Sequence, residues 1–399
     1  MNVARAGGMY MASTPEDPRA AEGEPKSARS GGLSRWPRYE QATLGFREHW
    51  YPAARSFDLK RDPRGVKLLG EELVLVRDGG RVYTLEDRCA HRGIPLSAGR
   101  REFPCTVSCA YHGWTYSLES GELVAALTDG PDSAIVGRVR LRTYPAIERQ
   151  GMVWVYIGDR PAPPIDDELP PDLLQSTYTG VRVRDFLGNW RIAMEGAVDP
   201  SHAFYLHRTA LLSRTFDLPA SRGRHWPEVE DGRYFTYRTE PPTPEAQYPG
   251  LGLWPRKRWW QRFRTLKGLS VRAFLPCASR VSGLVFTEPF VVFSWYVPID
   301  ASHYRWFQVL ATQATGLRRL WAVAKYHLWL KLMYQREFLD QDATMNELAH
   351  PFYADGSGWS KERLFRPDSV IVAWRRFADE RARGVQEAHG TVPAAQEAP

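Results

Sequence analysis

The chain has 399 residues, 43% of them hydrophobic and 13% aromatic, enough for two domains with sizeable cores and incompatible with a wholly disordered protein. Lys and Arg exceed Asp and Glu by 53 to 46, a net charge of +7, which suits an acidic protein partner at least as well as nucleic acid. Four cysteines (Cys89, Cys105, Cys109 and Cys277) are too few for a disulfide scaffold and suit a reducing compartment, and no run of about 18 apolar residues is present to span a bilayer.

Residues 1–40 are dominated by Ala, Gly, Ser, Pro and charge. They read as a disordered leader, within which Met9 or Met11 could be the true start, and they lack the apolar segment of a secretory signal. Residues 73–77 and 81–85 are short apolar strands joined across Asp78-Gly79-Gly80, a hairpin signal. Further strands are expected over 114–118 and 152–158, so 41–160 reads as a small all-β domain.

Two short motifs interrupt that domain, Cys89-Ala90-His91 and, after seventeen intervening residues, Cys109-Ala110-Tyr111-His112. Two thiolates and two imidazoles delivered as C-x-H and C-x-x-H form the ligand set of a Rieske-type [2Fe–2S] centre, in which one iron takes two Cys and the other two His. A structural zinc site also accepts Cys₂His₂, but zinc fingers group Cys with Cys and His with His, whereas each pair here is mixed. Cys105 and Cys277 remain as buried or free thiols.

Pro161-Ala162-Pro163-Pro164 and Pro170-Pro171 then punctuate the chain as an expected linker. Residues 161–385 read as an α+β domain, with strands over 269–275, 291–297 and 304–310 and helices over 317–347 and 369–383; residues 386–399 read as a flexible tail. Within this second domain, His202 and His207 stand five apart, with Asp199 three before the first. Two His and a carboxylate with open positions suit non-haem Fe(II). Residues five apart on an ideal helix point about 140° away from each other, so both imidazoles can reach one ion only if the helix bends, unwinds or carries a π-like turn. The third ligand must come from elsewhere. The stretch 337–347 offers Glu337, Asp340, Asp342 and Glu347, which could equally be a solvated helix face; Asp199 could instead hold the His202 imidazole as an acceptor.

The chain resembles the α subunit of Rieske non-haem iron oxygenases over residues 42–385. The resemblance rests on residues 44–52, 87–93, 111–116, 189–191, 199–202, 295–300, 352–355 and 371–375. It implies an α+β fold, with an all-β Rieske [2Fe–2S] domain followed by a helix-grip-like catalytic domain of antiparallel sheet and flanking helices. It implies that Cys89 and Cys109 ligate one cluster iron and His91 and His112 the other. It also implies that His202, His207 and Asp342 hold a mononuclear Fe(II), with Asp340 as the alternative carboxylate. Asp199 matches the residue that, in the family, links His112 of one subunit to His202 of its neighbour, in a head-to-tail homotrimer. Electrons would come from NAD(P)H through a reductase and a ferredoxin, and O₂ would be activated in a dry apolar pocket.

Two stretches depart from the family pattern. Residues 254–264 mix Arg and Lys with Trp and Phe and read as a loop beside the pocket entrance, with an anionic membrane or nucleic acid as the other readings. Residues 317–338 interleave Trp, Leu and Met with Lys and Arg; they read as a core helix leading to Asp342, with peripheral membrane contact as the alternative. The expected function is a cytoplasmic terminal oxygenase acting on a hydrophobic aromatic or heteroaromatic molecule. Oxidative ring closure of the prodiginine type, in secondary metabolism, is a second reading within the same machinery. A Rieske electron carrier without catalytic iron is a third, from another class.

Overall fold

The computed structural model describes residues 35–212, 225–239 and 269–387; residues 254–264 lie outside them. From Trp36 onward the described residues form one compact unit built on four antiparallel sheets.

The first half is all β. Strands Arg64–Leu68, Glu71–Asp78, Arg81–Glu86 and Thr143–Tyr144 form one sheet, and Thr106–Ser108, Trp114–Ser117 and Leu123–Ala126 a second. The expected hairpin forms where its turn chemistry dictates. Asp78 pairs with Arg81 across Gly79 (φ +54°) and Gly80 (φ +77°), and a turn with two positive φ angles matches the twist of the flanking strands. Val74, Val76, Leu85, Leu96, Val107 and Tyr116 bury against Cys89 and Cys109 in a core of their own, so the two cysteine loops rest on a packed β scaffold.

Strands His49–Arg55 and Met152–Ile157 pair, with almost every residue of both buried. They belong to the larger core that continues into the second half, where Trp154 meets Trp295 edge-on at 5.2 Å. The Pro-rich stretch between the halves is packed: it forms the one-turn helices Ile165–Glu168 and Pro171–Leu174, with Ile165, Leu169 and Leu173 buried.

The second half is a seven-stranded antiparallel sheet. Its order is Tyr178–Leu187, His303–Thr312, Val291–Pro298, Ala278–Ser282, Ser270–Phe274, Tyr234–Thr239, His225–Glu230. Helix Trp190–Val198 lies against the central strands and contacts helices Leu339–Tyr353 and Ser369–Arg381. This is the expected α+β class, a β domain followed by an antiparallel sheet with flanking helices. The helix expected over 317–347 runs from Gly316 to Tyr353, with π-helical segments at Tyr326–Leu330 and Met333–Phe338. π segments interrupt the α-helical ladder and recur at functional sites; the second ends immediately before the helix that carries Asp342.

Candidate metal centres

The cluster-type motifs occupy two loops closed in the same way. Cys89 N–H donates to Ile94 O and Gly93 N–H to Cys89 O, both at 2.8 Å. Cys109 N–H donates to Trp114 O at 2.8 Å and Gly113 N–H to Cys109 O at 3.1 Å. Gly93 and Gly113 take φ of +71° and +66°, a backbone state that disfavours any side chain. At Gly113 a Cβ would also lie 2.8 Å from Leu127 Cβ. The matched turns bury both cysteines and leave His91 and His112 at the surface, ring centroids 4.6 Å apart, with His91 stacked on Trp114 at 4.8 Å.

The donor chemistry fits a cation. Burial raises the Cys89 thiol above its ordinary pKa, and neighbouring Cys109 adds to the rise, against the hydroxyl of Tyr116 and the His91 backbone. Buried thiols become thiolates when a metal supplies the compensating charge. Desolvation, followed by the charges of His91 and Arg92, lowers the His112 pKa, which favours the neutral imidazole a metal requires.

The second constellation is assembled from three elements. Asn189 caps helix Trp190–Val198 by accepting from Arg191 N–H at 3.1 Å. The helix stops at Asp199-Pro200, because proline cannot donate to the helical ladder and its ring clashes with the preceding turn. Asp199 Oδ1 accepts from Ser201 N–H and Oγ–H, both at 2.7 Å, and the chain re-enters a short helix, His202–Leu206. It then tightens to a 3₁₀ turn at His207–Thr209. This change of pitch is the unwinding that the five-residue spacing demands, and it brings the two imidazoles edge to face with centroids 5.5 Å apart.

Asp342, in the first turn of helix Leu339–Tyr353, completes the group. Its Oδ1 lies 3.4 Å from His202 Nε2 and 3.3 Å from His207 Nε2. Ligand atoms about 2.1 Å from a common centre lie roughly 3.0–3.4 Å apart, so both distances to Asp342 are those of ligands on one first-row metal ion, and all three donor atoms lie within 4.8 Å of one another. Each imidazole is oriented through its other nitrogen. His202 Nδ1 is 2.9 Å from the Asp199 carbonyl oxygen and His207 Nδ1 is 3.0 Å from Gln341 Oε1, while the His207 ring stacks on Phe338 at 3.8 Å. Burial alone would lower the His202 pKa, but donation of its ring N–H to Asp199 and the charges of Asp342 and Asp199 push it up to about 9. The crowding of negative charge around that ring is the electrostatic signature of a cation site.

Asp340 is placed differently. Its carboxylate receives Arg182 at 2.8 Å on both oxygens and Arg184 at 2.8 Å. Glu337 accepts the backbone N–H of Leu211 at 3.0 Å. The Asp199 carboxylate sits 3.7 Å from His202 Nδ1 and is engaged by Ser201, so the backbone carbonyl of Asp199 is the nearer acceptor for this imidazole. Sequence reasoning did not find Gln341, Phe338 or Tyr116. Gln341 adjoins Asp342, but nothing in its identity marks it; Tyr116 lies four residues beyond His112 and reaches Cys89 Sγ at 3.4 Å. A cleft of about 450 Å³ opens beside the three donors, lined among others by Gly196, His202, Tyr205, Met345 and Asn346.

Comparison with known proteins places this geometry. Residues 49–145 match the Rieske [2Fe-2S] domain, and residues 156–241 and 257–386 match the homotrimeric ring hydroxylase family. The terminal oxygenase component of carbazole 1,9a-dioxygenase from a Sphingomonas species is 33% identical over 368 residues, covering 88% of this chain and 96% of the relative. That from Metapseudomonas resinovorans is 35% identical over 373 residues, covering 89% and 96%. Among solved structures, the reduced complex between oxygenase and ferredoxin in carbazole 1,9a-dioxygenase superposes with a TM-score of 0.74 at 32% identity, covering 88% of this chain and 93% of that chain.

Proposed function

The chain belongs to the Rieske-type homotrimeric ring hydroxylases, and from that premise we propose that it oxidises a fused aromatic or heteroaromatic substrate of the carbazole class. It is the terminal oxygenase component of such a system, carrying a Rieske cluster and a mononuclear non-haem iron. The observation that carries the reading is the convergence of His202 Nε2, His207 Nε2 and Asp342 Oδ1 on the same chain as two matched Cys/His loops. Bound there, the two metal groups supply single electrons and O₂ activation. The relatives favour this oxygenase reading over a prodiginine-type cyclase and over an electron carrier with no second metal.

In this reading Cys89, Cys109, His91 and His112 hold the cluster, and His202, His207 and Asp342 hold the iron. Asp199 presents its carbonyl to His202 and offers its carboxylate toward the neighbouring subunit's cluster. The chain's residues do the positioning. Gln341 and the Asp199 carbonyl engage Nδ1 of each imidazole and so aim each Nε2 at Asp342, Arg182 and Arg184 hold Asp340 away from the histidines, and the apolar walls of the cleft limit water. An acidic ferredoxin, itself reduced by an NAD(P)H-dependent reductase, suits the exposed His91 edge with Arg88 and Arg92 beside it. Residues 41–160 form the cluster domain and 161–385 the catalytic domain. No described helix is long and apolar enough to cross a membrane.

The test is metal counting combined with oxygen tracing. The purified protein carries about three irons per chain rather than about two. Asp342→Ala retains the visible spectrum of the cluster but loses the third iron and all turnover. With ferredoxin, reductase and NAD(P)H, ¹⁸O from ¹⁸O₂ enters carbazole-class products. Two irons in the native protein, or turnover by Asp342→Ala, would refute the assignment.

A further inference from the structure

The helical stretch from Gly316 to Leu332 has two contrasting faces. One is core: Ala322, Tyr326 and Leu330 are buried, followed by Tyr334. The other exposes Leu317, Leu320, Trp321, Leu328, Trp329 and Leu332, with Leu317 and Leu328 more than four-fifths exposed (83% and 82%). An apolar stripe of this kind costs solubility unless something covers it. From Gly316 through Arg336 the chain has five cations and no carboxylate. Lys325 reaches the Glu288 carbonyl. The other four, Arg318, Arg319, Lys331 and Arg336, are exposed and make no ion pair among the described residues.

We infer that this face docks on the surface of an anionic lipid bilayer. Leu and Trp side chains between Arg and Lys, on a helix already anchored to the protein along its other face, match the physical make-up of an interfacial helix: the apolar groups enter the acyl boundary, Trp sits at the headgroup level and the cations meet lipid phosphate. The seventeen residues from 316 to 332 run for about 25 Å, so the stripe is long enough to lie along the bilayer plane. Charge decides between a lipid surface and a second copy of the chain. Pairing this stripe with the same stripe of another copy would set Arg318 and Lys331 against their own counterparts, with no carboxylate from Gly316 through Arg336 to offset them, whereas anionic headgroups supply the missing charge. The inference does not depend on the substrate.

Flotation of the purified holoenzyme tests it. The protein should rise with vesicles of phosphatidylcholine mixed with phosphatidylglycerol at low salt, and stay behind with vesicles of phosphatidylcholine alone. Arg318→Glu with Lys331→Glu, and separately Trp321→Ser with Leu328→Ser, should each weaken binding by roughly tenfold or more, while the cluster absorption and the oligomeric state by light scattering stay unchanged. Absence of wild-type flotation with the anionic vesicles would overturn the proposal. So would full flotation of the charge-reversed variant, or dissociation of the oligomer in the Trp321→Ser, Leu328→Ser variant, which would identify the stripe as a contact between copies.

Discussion

His207 Nδ1 lies 3.0 Å from Gln341 Oε1, and Gln341 is the residue immediately before Asp342. One helical turn thus supplies both the carboxylate that faces His207 Nε2 and the acceptor that holds the proton on the opposite nitrogen. Fixing the tautomer in this way raises the basicity of a ligating imidazole, and loss of such partners typically weakens metal affinity by about 10–100-fold. Gln341→Leu should therefore lower the iron content from about three toward about two per chain and require added Fe(II) for activity. The cluster spectrum should not change, because Gln341 does not approach the cysteine loops. Gln341→Glu keeps an acceptor and should retain the third iron.

Asp340 and Asp342 separate cleanly under substitution. Asp340 carries three hydrogen bonds from Arg182 and Arg184, which link helix Leu339–Tyr353 to the edge strand Tyr178–Leu187. Asp340→Asn should cost about 1–3 kcal/mol in chemical unfolding, because the partly buried Arg182 loses its partner charge, with the third iron largely kept. Asp342→Asn should show the reverse: little loss of fold stability and loss of the iron. A third iron equally depleted in both variants would mean that the two carboxylates share the metal.

These two aspartates also show where sequence reading stops. The strands 73–77 and 81–85 are legible because short apolar runs and a Gly-Gly turn both point to a hairpin. The C-x-H and C-x-x-H loops are legible because ligand spacing is local. Helix 317–347 is legible from length and periodicity, but its exposed Leu317 and Leu328 are not, since a one-sided stripe of Leu and Trp reads the same whether it faces core or solvent. Strand Tyr178–Leu187 is not among the expected strands, because Arg182, Arg184 and Asp185 break its apolar run. Yet two of those charges are what engages Asp340, more than 150 residues later, so the choice between the aspartates depends on a tertiary contact that no local pattern encodes. The same holds for His207 and Gln341, 134 residues apart.

Tyr116 bears on the cluster rather than on the iron. Its oxygen accepts the Ala90 N–H at 3.1 Å and lies 3.4 Å from Cys89 Sγ. With that lone pair occupied, the phenolic proton is directed to the sulfur. Hydrogen bonds to cluster sulfurs stabilise the more negative, reduced state. Tyr116→Phe should lower the reduction potential; about 1 kcal/mol of lost preference corresponds to about 40 mV for one electron. Direct electrochemistry of the purified protein reads this shift, and an unchanged or raised potential would contradict the assigned donor direction.

Arg375 is buried at 1% exposure and forks onto two carboxylates. Its Nε and Nη2 donate to Glu195 at 2.8 and 2.7 Å, and Nη1 and Nη2 to Glu362 at 2.9 and 3.0 Å. Glu195 also accepts the Tyr39 hydroxyl at 2.9 Å and lies one turn before Asp199. Arg375→Met would leave buried Glu195 and half-buried Glu362 without their partner charge and should cost about 3–5 kcal/mol in denaturant unfolding. Arg375→Lys restores the charge without the planar fork and should recover only part of that loss.

Glu168 gives a stability difference that depends on pH. Its carboxylate accepts both Arg383 Nη1 and Nη2, at 2.9 and 2.8 Å, and lies 3.9 Å from His49 Nδ1. It thereby joins the segment between the two halves to the first strand and to the end of the last helix. Burial alone would raise the Glu168 pKa, but the adjacent His49, the hydrogen bonds from Arg383 and the Arg383 charge hold it down at about 2. A carboxylate depressed in the folded state binds its proton more readily in the unfolded chain. Its contribution is therefore complete above the unfolded pKa near 4.3 and is lost as pH falls toward 2. Glu168→Gln should be less stable than wild type by about 1–3 kcal/mol from pH 8 down to about 5. The gap should narrow steadily below about pH 4.5, because the wild type loses what the variant never had. Urea unfolding of both proteins across this range measures the gap directly, and a gap that widens on acidification would show that His49, not Glu168, dominates the cluster's proton linkage.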